Sequence, residues 1–444
     1  MVHNTTSAHA VRIATGRREV SPSHLPVAIV QTPVANSVAE PLEINAALFT
    51  AGDITVLLAS FDLLYIGGKL EQEIRSALQA RHGLADKNVL LFASHTHSAP
   101  QIDAELFMLG RYEEAYSNQV RDAFLELVDE LARRDTRPLR IEVRRGSLHH
   151  AVNRRRPRHL PIVTRHGLRW DRVSFAPFAA GPHNEAVTVV TMRDAETDKP
   201  LALLWHYACH AVSHAPRHSV SSDFPGVTRE VLRKEHGTGL PVFFLQGFCG
   251  DVRPNVKPDV PKSPRQKVHG FVMQALRGVL NLEVTPESWL RWAISLAEGV
   301  AGVAASRPDA VETPQGIAAA RADLPLDRIF SGQTRNSTLV LRGLRLGSAI
   351  EVIGFGAEVV TDWADVINKT CLPAKGRRLL TGYCGNVFGY LPIARHLREG
   401  GYETVDFQPH FRMNGRYCRE TLEPAVCETV ADLMQRLAGS NGYP

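Results

Sequence analysis

Strand-like and helix-like patterns of hydrophobic and polar positions alternate along the chain. Apolar runs between polar residues predict buried strands, and apolar residues at spacings of three and four predict amphipathic helices. The predicted strands cover residues 53–66, 88–93, 139–143, 186–192, 201–205, 242–245 and 350–355. The predicted helices cover residues 69–82, 113–134, 225–235, 289–306, 358–368 and 422–437. This mixture, without an internal repeat, predicts an α/β (mixed α+β) fold, with one large domain over residues 1–444.

The composition is that of an ordinary globular protein. Hydrophobic residues make up 44% and charged residues 22% of the 444 residues, which excludes a disordered chain, a collagen-like fibre and a coiled coil. The net charge is +5, too weak over this length to indicate a nucleic-acid partner. The one dense basic run, RRRPR at residues 154–158, is typical of a solvated loop.

Neither a membrane span nor a targeting segment is predicted. The longest apolar run, residues 54–66, is interrupted by Asp62 and is shorter than the roughly 20 residues of a membrane-spanning helix. The N-terminus lacks the apolar stretch of a signal peptide. The six cysteines form no CxxC pair and are interpreted as reduced thiols. We therefore expect a cytoplasmic protein, while secretion after processing stays open.

The strongest chemical signal is a pair of histidines directly after a predicted buried strand. Residues 94–98 read Ser-His-Thr-His-Ser. In an extended chain alternate residues face the same way, so His95 and His97 are predicted to point to one side at the carboxyl end of the strand. Two imidazoles there suit a metal ion, or a metal ligand beside a proton-transfer group. The alternative is two polar residues satisfied by the main chain.

A second group of histidines follows the predicted strand 201–205. Its members are residues 206, 210, 214 and 218. Most of them are interpreted as structural or surface groups, and His210 is selected as the candidate ligand. Asp223 comes next, at the start of a predicted helix. It either caps that helix or supports a metal-bound imidazole.

Further strand exits carry glycine, acid and tyrosine. Residues 247–255 (GFCGDVRPN) form either a turn or a place where main chain approaches a ligand. Glu358 is either a first-turn helix residue or a metal ligand. Tyr390 and Tyr402 lie in glycine-rich segments, where tyrosine often anchors packing. His, Glu and Tyr at successive strand exits together indicate a hydrolytic metal site at one edge of an α/β layer.

With these motifs in order, the chain resembles the neutral (non-lysosomal) ceramidase family, specifically its N-terminal catalytic domain. The motifs span most of the chain and are SHTHSAP at 94–100, VNRRRP at 152–157, HYACHAVS at 206–213, SSDFPG at 221–226, GFCGDVRPN at 247–255, GAE at 356–358, FGYLP at 388–392 and EGGYE at 399–403. No segment resembling the C-terminal immunoglobulin-like domain of typical neutral ceramidases is apparent, so a catalytic domain alone is expected.

The resemblance implies a zinc-dependent amidohydrolase that cleaves an N-acyl, ceramide-like amide bond. One Zn²⁺ per chain is implied, with four ligands: His95, His210, Glu358 and Tyr390. His97 matches a catalytic histidine that is not a ligand. Arg154 matches an arginine expected to contact the substrate oxygen, and Tyr402 matches a later active-site tyrosine.

The implied chemistry suits these residue types. Zinc lowers the pKa of bound water to about 7, and His97 would take a proton from that water and return it to the leaving amine. Zinc, Arg154 and Tyr402 would stabilise the oxyanion. Tyrosine is an unusual zinc ligand, so Tyr390 is expected to bind weakly or to move during turnover. Iron or manganese would suit the same nitrogen and oxygen donors.

One position departs from the family pattern. The family's GDVSPN motif has serine where this chain has Arg253. Arginine adds a fixed positive charge, and if it faces the pocket it favours a substrate with a carboxylate, phosphate or sulfate. Arg253 is therefore the candidate selectivity residue.

Three classes of function remain open. The first is a zinc amidohydrolase acting on a small-molecule or lipid-like N-acyl amide. The second is a metal-dependent hydrolase of a smaller, anionic ester, amide or sugar-derived substrate on the same scaffold. The third is a binding protein without catalysis, against which the intact His95, His97, His210 and Glu358 argue. A long apolar groove would favour a lipid, and inward-facing arginines an anionic substrate.

Overall fold

The structure, a computed structural model, describes residues 9–30, 32–164, 167–214, 216–257, 263–277, 284–371 and 377–439. In chain order its strands are β1 (Arg12–Glu19), β2 (Val27–Ile29), β3 (Thr32–Ala35), β4 (Ser37–Val38), β5 (Glu43–Ala51), β6 (Ile54–Phe61), β7 (Val89–Ala93), β8 (Arg137–Ser147), β9 (Ala151–Pro157), β10 (Ile162–Thr164), β11 (Gly167–Arg169), β12 (Val173–Phe178), β13 (Ala186–Asp194), β14 (Pro200–Tyr207), β15 (Ser219–Val220), β16 (Val242–Gln246), β17 (Val252–Pro254), β18 (Ala310–Glu312), β19 (Ile317–Pro325), β20 (Phe330–Gln333), β21 (Thr338–Leu346), β22 (Ile350–Phe355), β23 (Glu358–Val359), β24 (Arg378–Thr381), β25 (Tyr390–Leu391) and β26 (Asn414–Tyr417).

The helices alternate with these strands. They are α1 (Gly68–His82), α2 (Glu114–Arg133), α3 (Asp223–His236), α4 (Pro264–Arg277), α5 (Pro286–Ala305), α6 (Asp362–Val366), α7 (Ala394–Glu399) and α8 (Arg419–Gly439). Short 3₁₀ turns occur at Asp86–Asn88, Phe107–Leu109, Leu326–Arg328 and Gln408–Phe411, and π-helical turns at Ile367–Cys371 and Tyr402–Asp406. Within the described ranges, none of the helices combines the length and the apolar character needed to cross a membrane.

Two sheets face each other across an apolar layer. The larger has the order β16-β14-β13-β8-β1-β5-β6-β7, with β18 beside β8, and the smaller has the order β19-β21-β22-β24. The layer between them includes Phe49, Phe92 and Phe243 from the larger sheet and Leu344 and Val352 from the smaller. Helices cover the outer faces: α2 packs on β1 and β5, α5 on β13, and α8 on β19 and β21.

Strand β5 shows how the sequence builds these layers. Successive side chains of a strand point to opposite faces, so Ala47 and Phe49 lie in the layer between the sheets while Ala46 and Leu48 lie under the helices. A strand that is apolar at nearly every position is one buried on both faces. The mixed α/β fold predicted from these runs is confirmed.

The predicted elements match observed strands and helices with one clear error. The chain was expected to run from a strand at 350–355 into a helix over 358–368. Instead, β23 pairs in parallel with β25, so that Glu358 lies beside Tyr390, and α6 starts only at Asp362. Glu358 is therefore not a first-turn helix residue, because the main chain there satisfies its hydrogen bonds with another short strand.

Candidate metal centre

Both histidines of the His-Thr-His segment reach one point, although not by the predicted geometry. Strand β7 ends at Ala93, and His95 has a φ of 63°. The segment is thus not extended, and the expected alternation of side chains does not apply. The turn nevertheless brings the Nε2 atoms of His95 and His97 to 3.3 Å from each other.

His210 and Glu358 come to the same point from two other strand exits. His210 follows β14, and its Nε2 lies 3.0 Å from Nε2 of His95. Oε2 of Glu358 lies 3.5 Å from Nε2 of His95 and 3.6 Å from Nε2 of His210. These three side chains are only 1–2% exposed, whereas His97 is partly exposed. The site therefore has a buried base and opens on the side of His97.

The contact between His95 and His210 needs a cation or a proton. Nδ1 of His95 lies 3.2 Å from the carbonyl of Leu64, and Nδ1 of His210 lies 3.0 Å from the carbonyl of Cys249. Each Nδ1 therefore carries the hydrogen that it donates, which leaves lone pairs on the two Nε2 atoms that face each other. Such backbone-oriented imidazoles are the usual arrangement of metal ligands. Nitrogen donors with a carboxylate suit Zn²⁺, so these residues fit the implied metal.

The electrostatics keep these imidazoles neutral. Burial lowers the pKa of His95 to about 3. Burial, followed by the nearby His95 and Arg154, holds the pKa of His210 well below its usual value. Neutral imidazole is the form that binds metal. Burial raises the pKa of Glu358, the direction that a nearby cation would reverse.

Tyr390 and Arg154 lie beside the carboxylate. Tyr390 is paired with Glu358 in the short parallel ladder of β23 and β25, and its hydroxyl accepts a hydrogen bond of 3.0 Å from Nη2 of Arg154. Burial raises the pKa of Tyr390 well above its usual value, so it is a phenol here. Gly250 allows this close packing, since a Cβ at that position would lie 3.0 Å from main-chain atoms of Glu358 and Val359.

Arg154 is held by aromatic rings and by an acid. Its guanidinium carbon lies 4.7 Å from the ring centre of Phe175 and 5.6 Å from that of Tyr402. Nε of Arg154 donates to Glu403 at 2.9 Å, and Nη1 of Arg155 donates to the other oxygen of Glu403 at 2.5 Å. Arg154 is thus a fixed, buried cation beside Tyr390. The basic run at 154–158 was interpreted as a solvated loop, but its first residues lie in β9 and are buried.

Arg253 lies on the same face of the same small sheet as Arg154. β17 runs antiparallel to β9, with Arg253 opposite Val152. Val152 and Arg154 are two residues apart on one strand and share a face. Arg253 was the candidate selectivity residue, and the sheet places it next to the arginine of the candidate site.

Three residues of the site were missed in the sequence. Tyr65 donates to Oε1 of Glu358 at 2.5 Å, and Tyr383 donates to Oε2 at 3.2 Å. The ring of Tyr383 also stacks on His95 at 4.2 Å between centres. Glu403, which pairs with Arg154, is the third. Their positions after strands could have revealed the two tyrosines, since Tyr65 and Tyr383 follow β6 and β24 just as His95 follows β7.

The remaining sequence candidates have structural roles. Asp223 accepts hydrogen bonds from the main-chain nitrogens of His214 and Phe224, so it organises the start of α3 and does not touch a metal-ligand imidazole there. His206 contacts the carbonyl of Leu380, in agreement with its structural interpretation. A second group of possible metal ligands, Asp251, Asp362 and His396, is already occupied by Arg395 and main-chain donors.

An exposed apolar surface extends from the strands that carry the two arginines. After β9 the chain forms the hairpin β10–β11, in which Val163 is opposite Leu168, and α4 packs against β10. Trp170 is 74% and Phe271 is 73% exposed. We call this surface the apolar patch, which comprises Leu160, Val163, Leu168, Trp170, Val268 and Phe271. Arg169 ties the hairpin to Asp406, in the turn that begins at Tyr402.

Comparisons with known proteins agree with this fold. The chain matches no protein-family model and no curated protein sequence. Among solved structures, neutral ceramidase from Pseudomonas aeruginosa superposes with a TM-score of 0.69 at 14% identity, over 97% of this chain and 75% of that chain. A ceramidase complexed with C2 gives a TM-score of 0.69 at 15% identity, over 97% and 76% of the two chains. The structural neighbours are thus neutral ceramidases, and the shared property is the fold.

Proposed function

We propose that this protein is a zinc-dependent amidohydrolase that cleaves an N-acyl, ceramide-like amide bond. The observation that carries the proposal is the pair of buried Nε2 atoms, on His95 and His210, that face each other at 3.0 Å beside the carboxylate of Glu358. Such an arrangement needs a cation or a proton, and burial lowers the pKa of both imidazoles, which disfavours the proton. Tyr390, whose hydroxyl accepts a hydrogen bond from Arg154, would complete the donor set.

The proposed metal would supply the chemistry of the site, and the protein would hold and orient its ligands. Zinc held by such donors supplies Lewis acidity and water of pKa about 7. His95, His210 and Glu358 would hold it, and the carbonyls of Leu64 and Cys249 fix the orientation of the two imidazoles. Tyr65 and Tyr383 hold the carboxylate in place.

His97 is the proposed general base and acid. It lies at the open side of the cluster, with its Nε2 3.3 Å from Nε2 of His95. Burial and the neighbouring His95 keep its pKa well below the usual value, so it is neutral, the form that a general base needs. It would take a proton from water and give it to the nitrogen of the leaving amine.

Arg154 and Tyr402 are the proposed groups that stabilise the oxyanion. Arg154 is fixed by Glu403 and stacked among aromatic rings, so it needs no reorganisation when charge develops on the carbonyl oxygen. Tyr402 packs against Tyr390 with ring centres 5.5 Å apart. A phenol there supplies a second hydrogen-bond donor at the same side of the site.

The apolar patch supports an amphipathic, lipid-like substrate over a small polar one. Its residues project from segments that contain no Asp or Glu, residues 143–170 and 260–282. Exposed aromatic side chains on basic segments are typical of proteins that dock on anionic lipid surfaces. A cytoplasmic location and the organisation as one catalytic domain stay predictions.

Hydrolysis of N-acyl amides by the zinc-loaded protein tests this function. We expect turnover of N-dodecanoyl amides, with the amine and the fatty acid as products. His97→Ala should lower kcat by roughly a hundredfold or more, because it removes proton transfer. His218→Ala, which changes an exposed histidine, is the matched control and should keep full activity.

Two results would overturn the proposal. One is the absence of amide hydrolysis at any zinc concentration. The other is equal activity in the His97→Ala and His218→Ala variants. Cleavage of esters without cleavage of the matching amides would instead support the alternative function, a metal-dependent hydrolase of another acyl bond.

A further inference from the structure

Arg253 is a semi-buried cation without a counter-charge. Among the described residues it forms no ion pair and no hydrogen bond, and its Nε is buried without a partner. Neighbouring arginines are different, since Arg154 and Arg155 share the carboxylate of Glu403. A guanidinium that is partly removed from water normally has a partner for its buried nitrogen, because an unpaired buried donor costs free energy.

No carboxylate of the site is available to compensate Arg253. Glu403 is already shared by two arginines, and Glu358 faces the histidines. The charges that act on Arg253 are mainly like charges. Burial, followed by Arg154, lowers its pKa to about 10, and Arg217 acts in the same direction. The site therefore holds surplus positive charge on the face that carries Arg154.

The position of Arg253 links it to Arg154 of the candidate site in two ways. It follows Gly250, whose carbonyl accepts a hydrogen bond of 2.6 Å from Nη2 of Arg154. Arg253 also lies opposite Val152 in the small sheet, and Val152 shares a face with Arg154. A group bound to Arg253 would thus lie on the face of the sheet that carries Arg154, the residue proposed to stabilise the oxyanion of the amide.

We propose that the substrate carries an anionic group, a carboxylate, sulfonate or phosphate, that binds the guanidinium of Arg253 next to the scissile amide. This inference rests on the proposed amidohydrolase function and narrows its substrate class. Guanidinium presents several donors in a planar fork that matches such oxyanions. The anion lies on either the amine part or the acyl part of the substrate, and the chemistry at Arg253 is the same for both.

Two matched pairs of substrates test the proposal and locate the anion. N-dodecanoyltaurine and N-dodecanoylethanolamine differ in charge on the amine part. N-dodecylsuccinamic acid and N-dodecylbutanamide differ in charge on the acyl part. We expect the wild type to prefer the charged member of one pair by about tenfold to a hundredfold in kcat/KM, the usual effect of a hydrogen-bonded charge.

Arg253→Ser should abolish that preference and leave kcat/KM for the neutral member within about threefold, whereas Arg253→Lys should retain part of it. Arg133→Ser, which removes an exposed positive charge on α2, should change nothing. Equal preference in wild type and Arg253→Ser, with amide hydrolysis intact, overturns the role of Arg253 but not the function.

Binding measured by calorimetry distinguishes failure of the anion site at Arg253 from failure of the proposed amidohydrolase function. If no amide is cleaved, the proposed function fails. Arg253 is then judged by titration of the same charged amides into the zinc-loaded wild type and Arg253→Ser. Binding by the wild type that is lost in Arg253→Ser supports the anion site, and binding that is absent or unchanged overturns it.

Discussion

At the scale of single residues, the candidate metal centre depends on which nitrogen of each imidazole carries hydrogen. Leu64 and Cys249 decide this through their carbonyls, which are 31 and 39 positions from His95 and His210 in the chain. Sequence reasoning found both histidines from their positions after strands. The main-chain contacts that turn the lone pairs of the two imidazoles toward each other could not be predicted, because the three-dimensional fold sets them.

Glu403 offers a test of how the arginines of the site are held. Burial alone would raise its pKa, but Arg155 and Arg154 lower it from 4.5 to about 2. A depressed carboxyl pKa stabilises the folded state above the unfolded value and loses this contribution as the pH falls toward 2. Glu403→Gln should therefore lower the free energy of unfolding on the order of 3 kcal/mol at pH 7.

Urea unfolding of wild type and Glu403→Gln between pH 7 and pH 4 measures this difference. We expect it to be constant down to about pH 5 and to narrow by about 1 kcal/mol at pH 4. Glu428→Gln, at an exposed ion pair with Arg328, should change stability by less than about 1 kcal/mol. A small, pH-independent effect of Glu403→Gln would show that the pair with the arginines is not stabilising.

At the scale of elements, local pattern predicts the long elements well and the short ones poorly. Strand β22 was predicted over residues 350–355 and is observed at Ile350–Phe355. Residues 358 and 359, which were predicted to start a helix, form the two-residue strand β23. This strand pairs with β25, which lies about thirty residues further along the chain. Such pairing leaves no periodicity in a short segment.

The apolar patch on helix α4 and the hairpin β10–β11 should determine how well the protein binds vesicles that contain the substrate. Trp170 and Phe271 are largely exposed, so replacing both by serine should leave stability within about 0.5 kcal/mol. The double variant should lose about tenfold or more in hydrolysis of an amide presented in anionic vesicles, since the apolar contact with lipid is removed. Hydrolysis of a monomeric short-chain amide should be unchanged.

Vesicle sedimentation alongside both assays completes that test. Val311→Ser, at another exposed apolar position, is the control and should behave like wild type. Undiminished binding to anionic vesicles by the double variant would contradict a role of the apolar patch in docking. An equal loss on monomeric substrate would instead indicate damage to the site.

At the scale of the whole molecule, the sequence predicts the fold class but not the arrangement of the sheets. Alternating apolar runs and amphipathic segments sufficed for a mixed α/β fold. The strand order of the larger sheet depends on long-range pairs, such as β1 with β5 and β8. Its packing against the smaller sheet depends on equally distant contacts, such as β19 with β5 and β6, which no local pattern specifies. The motifs indicated a specific known fold, that of the neutral ceramidases, which periodicity alone could not do. The structural neighbours share this fold at 14–15% identity.

The proposed function depends on a metal ion bound by side chains that follow β7, β14 and β22. Elemental analysis of protein purified without added metal tests this most directly, beside His210→Ala, Glu358→Ala and the control His218→Ala. We predict about one zinc ion per chain in wild type and control, and its loss in both site variants. No metal in wild type, and none bound after zinc is added, would contradict the proposed zinc-dependent function.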